Sequence, residues 1–358
     1  MKKKLLAIVM MMVMTVAMVG CSTDKKNDTA SNSPTPASTN AATEVTVAPT
    51  ESTSDSAGVV WPTQDKLYVG FSQADLSSTW RTIESEHMQQ IADDRKYKIS
   101  ITNAEGDTEQ QISDVESLIA QGCNVMVIVA IDADAIQPAL DLCKEKKIPV
   151  IMKARGANAE AGVDYVTAIM SNFVTEGTNA ANWVKGKISE MGFTGKDVKV
   201  LEIQGVVGGT DVRDRSKGFH DVGDVEGWDF VAIQSANWSR TEAQEVAQNV
   251  LQSSGNDINV IYCHNDEMAL GASLAVQAAG LTVGKDILIV GVDGMKEALD
   301  AIKAGTQSLS VTCTPKYADL VFDTIEDAIA GKEIPTSIDV TDAVVDITNV
   351  DQYYELGF

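Results

Sequence analysis

Val125-Met-Val-Ile-Val129 and Ile148-Pro-Val-Ile-Met152 are two short apolar runs joined by Ala133–Lys146, a segment whose apolar residues (Ala133, Ile136, Leu140, Cys143) return every three or four positions. A continuous apolar run of this length suits a strand buried on both faces, and the segment between suits an amphipathic helix. Strand, helix, strand in this order predicts a parallel crossover. The same unit recurs in both directions. Further strand candidates are Leu67–Phe71, Tyr97–Thr102, Tyr165–Ile169, Val198–Ile203, Phe230–Gln234, Val260–Cys263, Ile287–Val292 and Leu309–Thr312. Helical periodicity fills the gaps at Asp107–Ala120, Thr241–Ser253 and Asp266–Ala279. The class is α/β. So many strands exceed one open sheet, and an eight-unit barrel would not need them all, so two doubly wound parallel-sheet lobes are expected.

The chain has 358 residues, of which 44% are hydrophobic and 22% charged, enough to bury a sizeable core. Its 28 Lys and Arg against 51 Asp and Glu give a formal charge of −23, which disfavours nucleic acid or an anionic lipid surface as partner. The start differs from the rest. Lys2–Lys4 precede an apolar run, Leu5–Gly20, too short for a comfortable membrane span, which reads as a signal peptide over residues 1–20. Gly20 directly before Cys21 resembles the lipobox of bacterial lipoproteins, in which the cysteine is lipidated and becomes the new N-terminus. Residues 21–60, rich in Ser, Thr, Ala, Asn and Pro, read as a disordered tether with a root-mean-square span of roughly 35 Å. The expected location is the outer face of the cell membrane, held by the lipid alone.

Cys123, Cys143, Cys263 and Cys313 lack the dense spacing of a disulfide framework and sit in apolar contexts, so buried thiols are expected, with a Cys123–Cys143 bridge as the alternative. His87, His220 and His264 are scattered, and no metal-ligand spacing appears. Gly205–Gly209 follows a strand but lacks the Lys-Ser/Thr ending of a phosphate loop and the spacing of a dinucleotide loop. No cofactor is implied.

In open parallel sheets ligands bind beyond the carboxyl ends of the strands. Those ends carry Ser72-Gln73 and then Trp80-Arg81, Lys153-Ala154-Arg155, Ser171-Asn172-Phe173, Gly205–Arg215, His264-Asn265-Asp266, Asp293-Gly294 and Cys313-Thr314-Pro315. Hydrogen-bonding side chains, arginines and an indole are what a polyhydroxylated ligand requires, because each hydroxyl must regain a lost hydrogen bond while the C–H face packs on a ring. Each residue also has a structural alternative. Trp80 could be core, Arg215 could pair with Asp211 or Asp214 at the surface, and Asn265 and Asp293 could cap helices.

Five segments carry a resemblance to a known family: Val69–Gln73 with Trp80-Arg81; Asp214–Phe219; His264-Asn265-Asp266; the Gly284–Asp286 turn; and Val292-Asp293-Gly294. With them the chain resembles the type I periplasmic sugar-binding proteins, the ribose and galactose receptors of ABC transporters, and among these the galactofuranose-binding proteins. The resemblance implies two lobes, 61–171 plus 313–337 and 172–312 plus 338–358, joined by crossing strands near Ser171, Thr312 and Ile338. It implies that Trp80 and Phe71 stack on a sugar and that Arg81, Arg155 and Arg215 donate to its oxygens. Asn265 would bond two hydroxyls and Asp293 would accept from a hydroxyl pair, with Gln73 and Asn172 also at the site. Family members commonly carry Asp-Arg where this chain has Ala154-Arg155, and a polar Gln or Glu near Thr312-Cys313.

The resemblance implies a monomeric receptor that closes on a monosaccharide and delivers it to an ABC permease. A sensor docking on a chemoreceptor or histidine kinase is the alternative. An exported glycosidase is disfavoured, because the strand ends offer only Asp293 and Asp266 as carboxylates and no Ser-His-Asp order. Arg215→Ala is expected to weaken binding at least tenfold with the fold intact.

Overall fold

The structure is a computed structural model that describes residues 58–358; the expected signal peptide, Cys21 and most of the tether lie outside the described residues. The chain runs β1 (Tyr68–Gln73), α1 (Thr79–Arg95), β2 (Lys98–Asn103), α2 (Thr108–Ala120), β3 (Val125–Ile128), α3 (Gln137–Glu145), β4 (Val150–Lys153) and β5 (Thr167–Ser171). It continues with α4 (Phe173–Glu190), β6 (Lys199–Gln204), α5 (Thr210–Glu226), β7 (Asp229–Ser235), α6 (Arg240–Ser253), β8 (Val260–Cys263), α7 (Asp266–Ala278), β9 (Leu288–Asp293), α8 (Lys296–Ala304) and β10 (Leu309–Thr312). The last elements are α9 (Ala318–Ile329), β11 (Ser337–Val340), β12 (Val344–Asp346) and α10 (Val350–Tyr353).

Two six-stranded sheets form, in the orders β11-β5-β4-β3-β1-β2 and β12-β10-β9-β8-β6-β7. All pairings in the first are parallel, and in the second only β12 runs antiparallel, against β10. The orders match: each sheet reverses direction between its first and third strands in sequence, at β1/β3 and at β6/β8. Such a switch point opens a crevice at the carboxyl ends of the strands. Central strands are fully buried, which is why they read as unbroken apolar runs; Val125–Ile128 and Val260–Cys263 are examples. Leu67, Val69, Phe71, Val127 and Phe322 pack one face of the first sheet and Met126, Ile128, Leu140 and Met152 the other.

The helix expected from Ala133 begins only at Gln137. Asp132 Oδ1 accepts from the amides of Asp134 and Ala135, both at 2.9 Å, and the resulting turn delays the start to the position just before Pro138, which favours a first turn. The strand expected at Tyr165–Ile169 lies two residues later. The chain passes between sheets after β5, after β10 and between β11 and β12. Ile338 is therefore inside the first sheet, paired in register with Ile169, and the third crossing falls at residues 341–343 rather than at Ile338. Cys123 and Cys143 are buried free thiols, so the bridge between them is not formed; both pack in the same apolar cluster.

Candidate functional site

A cavity lies between the carboxyl ends of the two sheets and is walled by residues of both lobes, the position expected for a small-molecule site. Six of the residues expected at a site line it: Trp80, Arg81, Arg155, Arg215, Asn265 and Asp293. The first three belong to the lobe of the first sheet and the others to the second.

Each guanidinium is anchored by a carboxylate. Arg81 Nη1 donates to Glu84 Oε2 at 2.9 Å, one turn along α1. Glu84 also accepts from Lys153 Nζ at 2.6 Å and Gln73 Nε2 at 3.0 Å. Burial opposes its charge, but Lys153 and Arg81 outweigh that and hold its carboxyl below the usual range. Arg215 Nε donates to Glu176 Oε2 at 2.6 Å, and its Nη1 donates to the backbone carbonyl of His264 at 2.8 Å. Arg155 Nε donates to Asp211 Oδ2 at 2.8 Å, across the cleft. Aromatic rings stand beside two of these groups: the Arg81 guanidinium lies 4.7 Å from the Trp80 ring and that of Arg215 lies 5.2 Å from the Phe173 ring. These contacts fix one edge of each guanidinium and leave its remaining N–H groups for a ligand.

The strand ends that aim these groups are strained. Ala154 has φ +58°, and the Arg155 amide donates back to the Lys153 carbonyl at 2.6 Å, closing a three-residue turn that swings Arg155 out of the sheet. Asp293 has φ +127°, a conformation that costs about 1–3 kcal/mol in a non-glycine residue. Asp266 holds it there. Its carboxylate accepts from the amides of Gly294 and Met295, both at 2.9 Å, from Ser310 Oγ at 2.8 Å and from Gln307 Nε2 at 2.9 Å. Burial pushes Asp266 up to about 7 despite those bonds.

The Asp293 carboxylate has no hydrogen-bond partner among the described residues, although it is almost fully buried. Burial raises its pKa well above the carboxylate range; Arg215 works against that, and Asp266 and Glu176 work with it. A folded value above the unfolded one of about 4 means that stability from the protonated form is complete below that pH and is lost as pH rises through the folded value. Asp293→Asn should therefore remove part of the fall in stability between pH 5 and pH 8. Urea unfolding of the ligand-free protein at the two pH values checks this, and an unchanged slope would show that the group titrates normally.

Asn265 caps α7, its Oδ1 accepting from the Met268 amide at 2.9 Å. The cap and the cleft position coexist, because the cap uses only the oxygen and leaves Nδ2 free among the described residues. Trp80 reconciles its two readings. It packs against the cores of both lobes, lines the cavity, and donates from Nε1 to the Cys313 carbonyl at 2.6 Å. Arg215 is buried; the surface pair is Arg213 with Asp214 at 2.7 Å.

Three expected residues lie elsewhere, which corrects the sequence reading. Phe71 is inside β1 rather than past its end, so its ring is fully enclosed in the first lobe's core. Gln73 is the last residue of β1 but turns inward, donating to Glu84 and to Ser85 Oγ at 2.9 Å, and so braces Arg81 from behind. Asn172 is exposed and caps α4 through the Thr175 amide at 3.0 Å; its neighbours Ser171 and Phe173 line the cavity instead.

Asp75, Trp238 and Tyr317 also line the cavity and were not foreseen there, and Asp211 lines it from within the Gly205–Arg215 stretch without having been singled out. Trp238 follows β7 in a turn in which both Asn237 (φ +51°) and Trp238 (φ +65°) are left-handed and the Ser239 amide donates to the Ala236 carbonyl at 2.7 Å. Its indole packs so tightly on Gly205 that a Cβ there would fall 2.1 Å from ring carbons, which explains the glycine. The strand-end rule applied to β7 would have found it.

Among the described residues no group of His, Cys, Asp or Glu is arranged to hold a metal ion, and no helix is long and apolar enough to cross a membrane. Two α/β lobes, three chain crossings and a cleft of anchored donors and acceptors define a two-lobed ligand-binding protein. Residues 69–333 match the model of the periplasmic binding protein domain, and the chain belongs to that family. It is 31% identical over 278 residues to a galactofuranose-binding protein of Escherichia coli K12, covering 77% of this chain and 86% of that one. It is 34% identical over 271 residues to a ribose import binding protein of Bacillus subtilis 168, covering 75% and 84%. Among solved structures it is similar to the periplasmic binding component of the arabinose ABC transporter of Shewanella sp. ANA-3 bound to α- and β-L-arabinofuranose. That match has a TM-score of 0.75 and 32% identity, over 81% of this chain and 95% of the other. The chain is a binding protein, not an enzyme.

Proposed function

We propose that the protein captures a neutral monosaccharide in a furanose form by closing its two lobes around it and delivers it to the permease of an ABC transporter. The observation that carries this reading is the single cavity in which Arg81, Arg155, Arg215, Asn265 and the unpartnered Asp293 carboxylate face one another beside two indoles. Hydroxyls accept from the guanidiniums and the Asn265 amide and donate to Asp293, while the sugar's C–H face lies on Trp80. Because the groups come from both lobes, ligand binds the closed arrangement far better than an open one and shifts the population toward it. The relatives that bind galactofuranose and arabinofuranose support the ring form.

The sequence before residue 58 supports export and lipidation at Cys21, with a tether that ends before residue 60, because the Val60 amide already donates to the Lys147 carbonyl at 2.8 Å. A thermal-shift panel of D-galactose, L-arabinose, D-ribose and D-fucose, which supply both ring forms in water, tests the ligand class. A ligand at 100 times its Kd adds about 2.7 kcal/mol and so raises Tm by several degrees. Silence across the panel would defeat the sugar reading, and a Cys21→Ser chain that stays in the membrane fraction would defeat the anchor.

A further inference from the structure

Arg81 and Arg215 are each bonded to a carboxylate of their own lobe that does not line the cavity, Glu84, which Lys153 shares, and Glu176. Arg155 differs. Its counter-charge, Asp211, comes from the opposite lobe, sits in the first turn of α5 and forms part of the cavity wall itself. Both side chains are nearly enclosed, at 8% and 7% exposure, so the charges are not screened by bulk water. Burial opposes the Asp211 charge, but Arg155, Arg215 and Arg81 outweigh it and hold its carboxyl below the usual range, so it is ionised at neutral pH.

Three guanidiniums around one cavity would, without carboxyl groups in the wall, make a strong site for an anion; the wall holds Asp75, Asp211 and Asp293, and of these Asp211 is the one bonded to a guanidinium. A carboxylate on the ligand would have to approach Arg155 beside Asp211, where like charges repel in a water-poor site. We propose that Asp211 is the specificity-determining residue that excludes anionic sugars, so that the cavity takes neutral aldoses and rejects aldonates, uronates and sugar phosphates. The proposal rests on reading the cavity as a site for a neutral monosaccharide and adds the residue that enforces that charge class. Ala154, a bare methyl at the strand end beside Arg155, carries no charge, and Asp75, also in the wall, spends its carboxylate on the Ser77 amide and hydroxyl rather than on a guanidinium.

The test measures affinity by calorimetry at low ionic strength for D-galactose, D-galactonate and D-galacturonate, plus whichever aldose responds in the thermal panel. The wild-type protein should bind the neutral sugar and at least one hundredfold more weakly the acids. Asp211→Asn keeps the shape and removes the charge, and should narrow that preference at least tenfold, chiefly by gaining affinity for the acids. Asp211→Ser serves if the first variant does not fold, with circular dichroism as the check on both. A preference unchanged within threefold in a folded variant, or a wild-type protein that binds the acids better, overturns the role of Asp211 while leaving the sugar reading in place. A wild-type protein that binds neither class overturns the sugar reading and the inference with it.

Discussion

Arg215→Ala should cost about 3–5 kcal/mol of stability and lower ligand affinity at least tenfold, and the two losses have different origins. The stability term comes from Glu176, which is 1% exposed and is left buried without its guanidinium partner. Its Oε1 has no hydrogen-bond partner, and the nearest group on that side, Asp342, is another buried carboxyl and supplies no positive charge. The expectation from sequence that this change spares the fold is therefore revised, because Arg215 is the cationic half of a buried pair. The affinity term comes from the free edge of the guanidinium in the cavity and from the His264 carbonyl, which Arg215 holds one residue before Asn265. Combining Arg215→Met with Glu176→Gln separates them. Removing both charges together should restore most of the stability, as buried pairs replaced by apolar residues commonly do, and leave affinity low. Urea unfolding and calorimetry on the three proteins read both terms. An Arg215→Ala protein with wild-type affinity would place the residue outside the site.

The alternation of strand and helix was legible because a parallel sheet covered on both faces forces near-continuous apolar runs. Val125–Ile128 and Val260–Cys263 fall where the runs stand. The strand-end rule likewise pointed to Arg155, Arg215, Asn265 and Asp293, all of which line the cavity. What the rule cannot say is which way a strand-end side chain turns. Gln73 and Asn172 are at strand ends and face the Glu84 network and the α4 cap, since each found a local partner that a ligand need not supply. The ion pairs were not legible either. Arg155 with Asp211, Arg215 with Glu176 and Lys153 with Glu84 are separated by 56, 39 and 69 residues, and only the packed lobes bring them together. The short antiparallel strand β12 was invisible for a related reason: three residues, Val344–Asp346, carry no periodicity of their own.

Gly218→Ala should be among the most damaging single-methyl additions to the protein, destabilising it by about 3 kcal/mol and weakening binding as well. Helices α4 and α5 cross so closely that a Cβ on Gly218 would sit 2.0 Å from the Val174 carbonyl oxygen and 2.8 Å from the Thr178 amide nitrogen. Gly177 makes the reciprocal contact, where a Cβ would fall 2.1 Å from the Arg215 carbonyl oxygen. These neighbours are backbone and cannot rotate away, so the helices must separate, and overpacking of this kind lies at or beyond the upper end of the usual 1–3 kcal/mol. Glycine costs helix propensity at both positions, and the close crossing is the compensating gain. The consequence reaches the cleft directly. Glu176 precedes Gly177 on α4, and Arg215 lies one turn before Gly218 on α5, so the crossing that the two glycines permit is what brings the 2.6 Å pair into register. Separating the helices lengthens that bond and swings the guanidinium out of line with Asp293 and Asn265. Affinity should therefore fall more than tenfold in the fraction that remains folded, whereas an alanine at Gly186 of α4, which has open space around it, should stabilise slightly and leave binding alone. Urea midpoints and calorimetry on the two variants read both effects. A Gly218→Ala protein within 0.5 kcal/mol of wild type by urea unfolding, or one that binds normally after losing stability, would show that the crossing does not set the site.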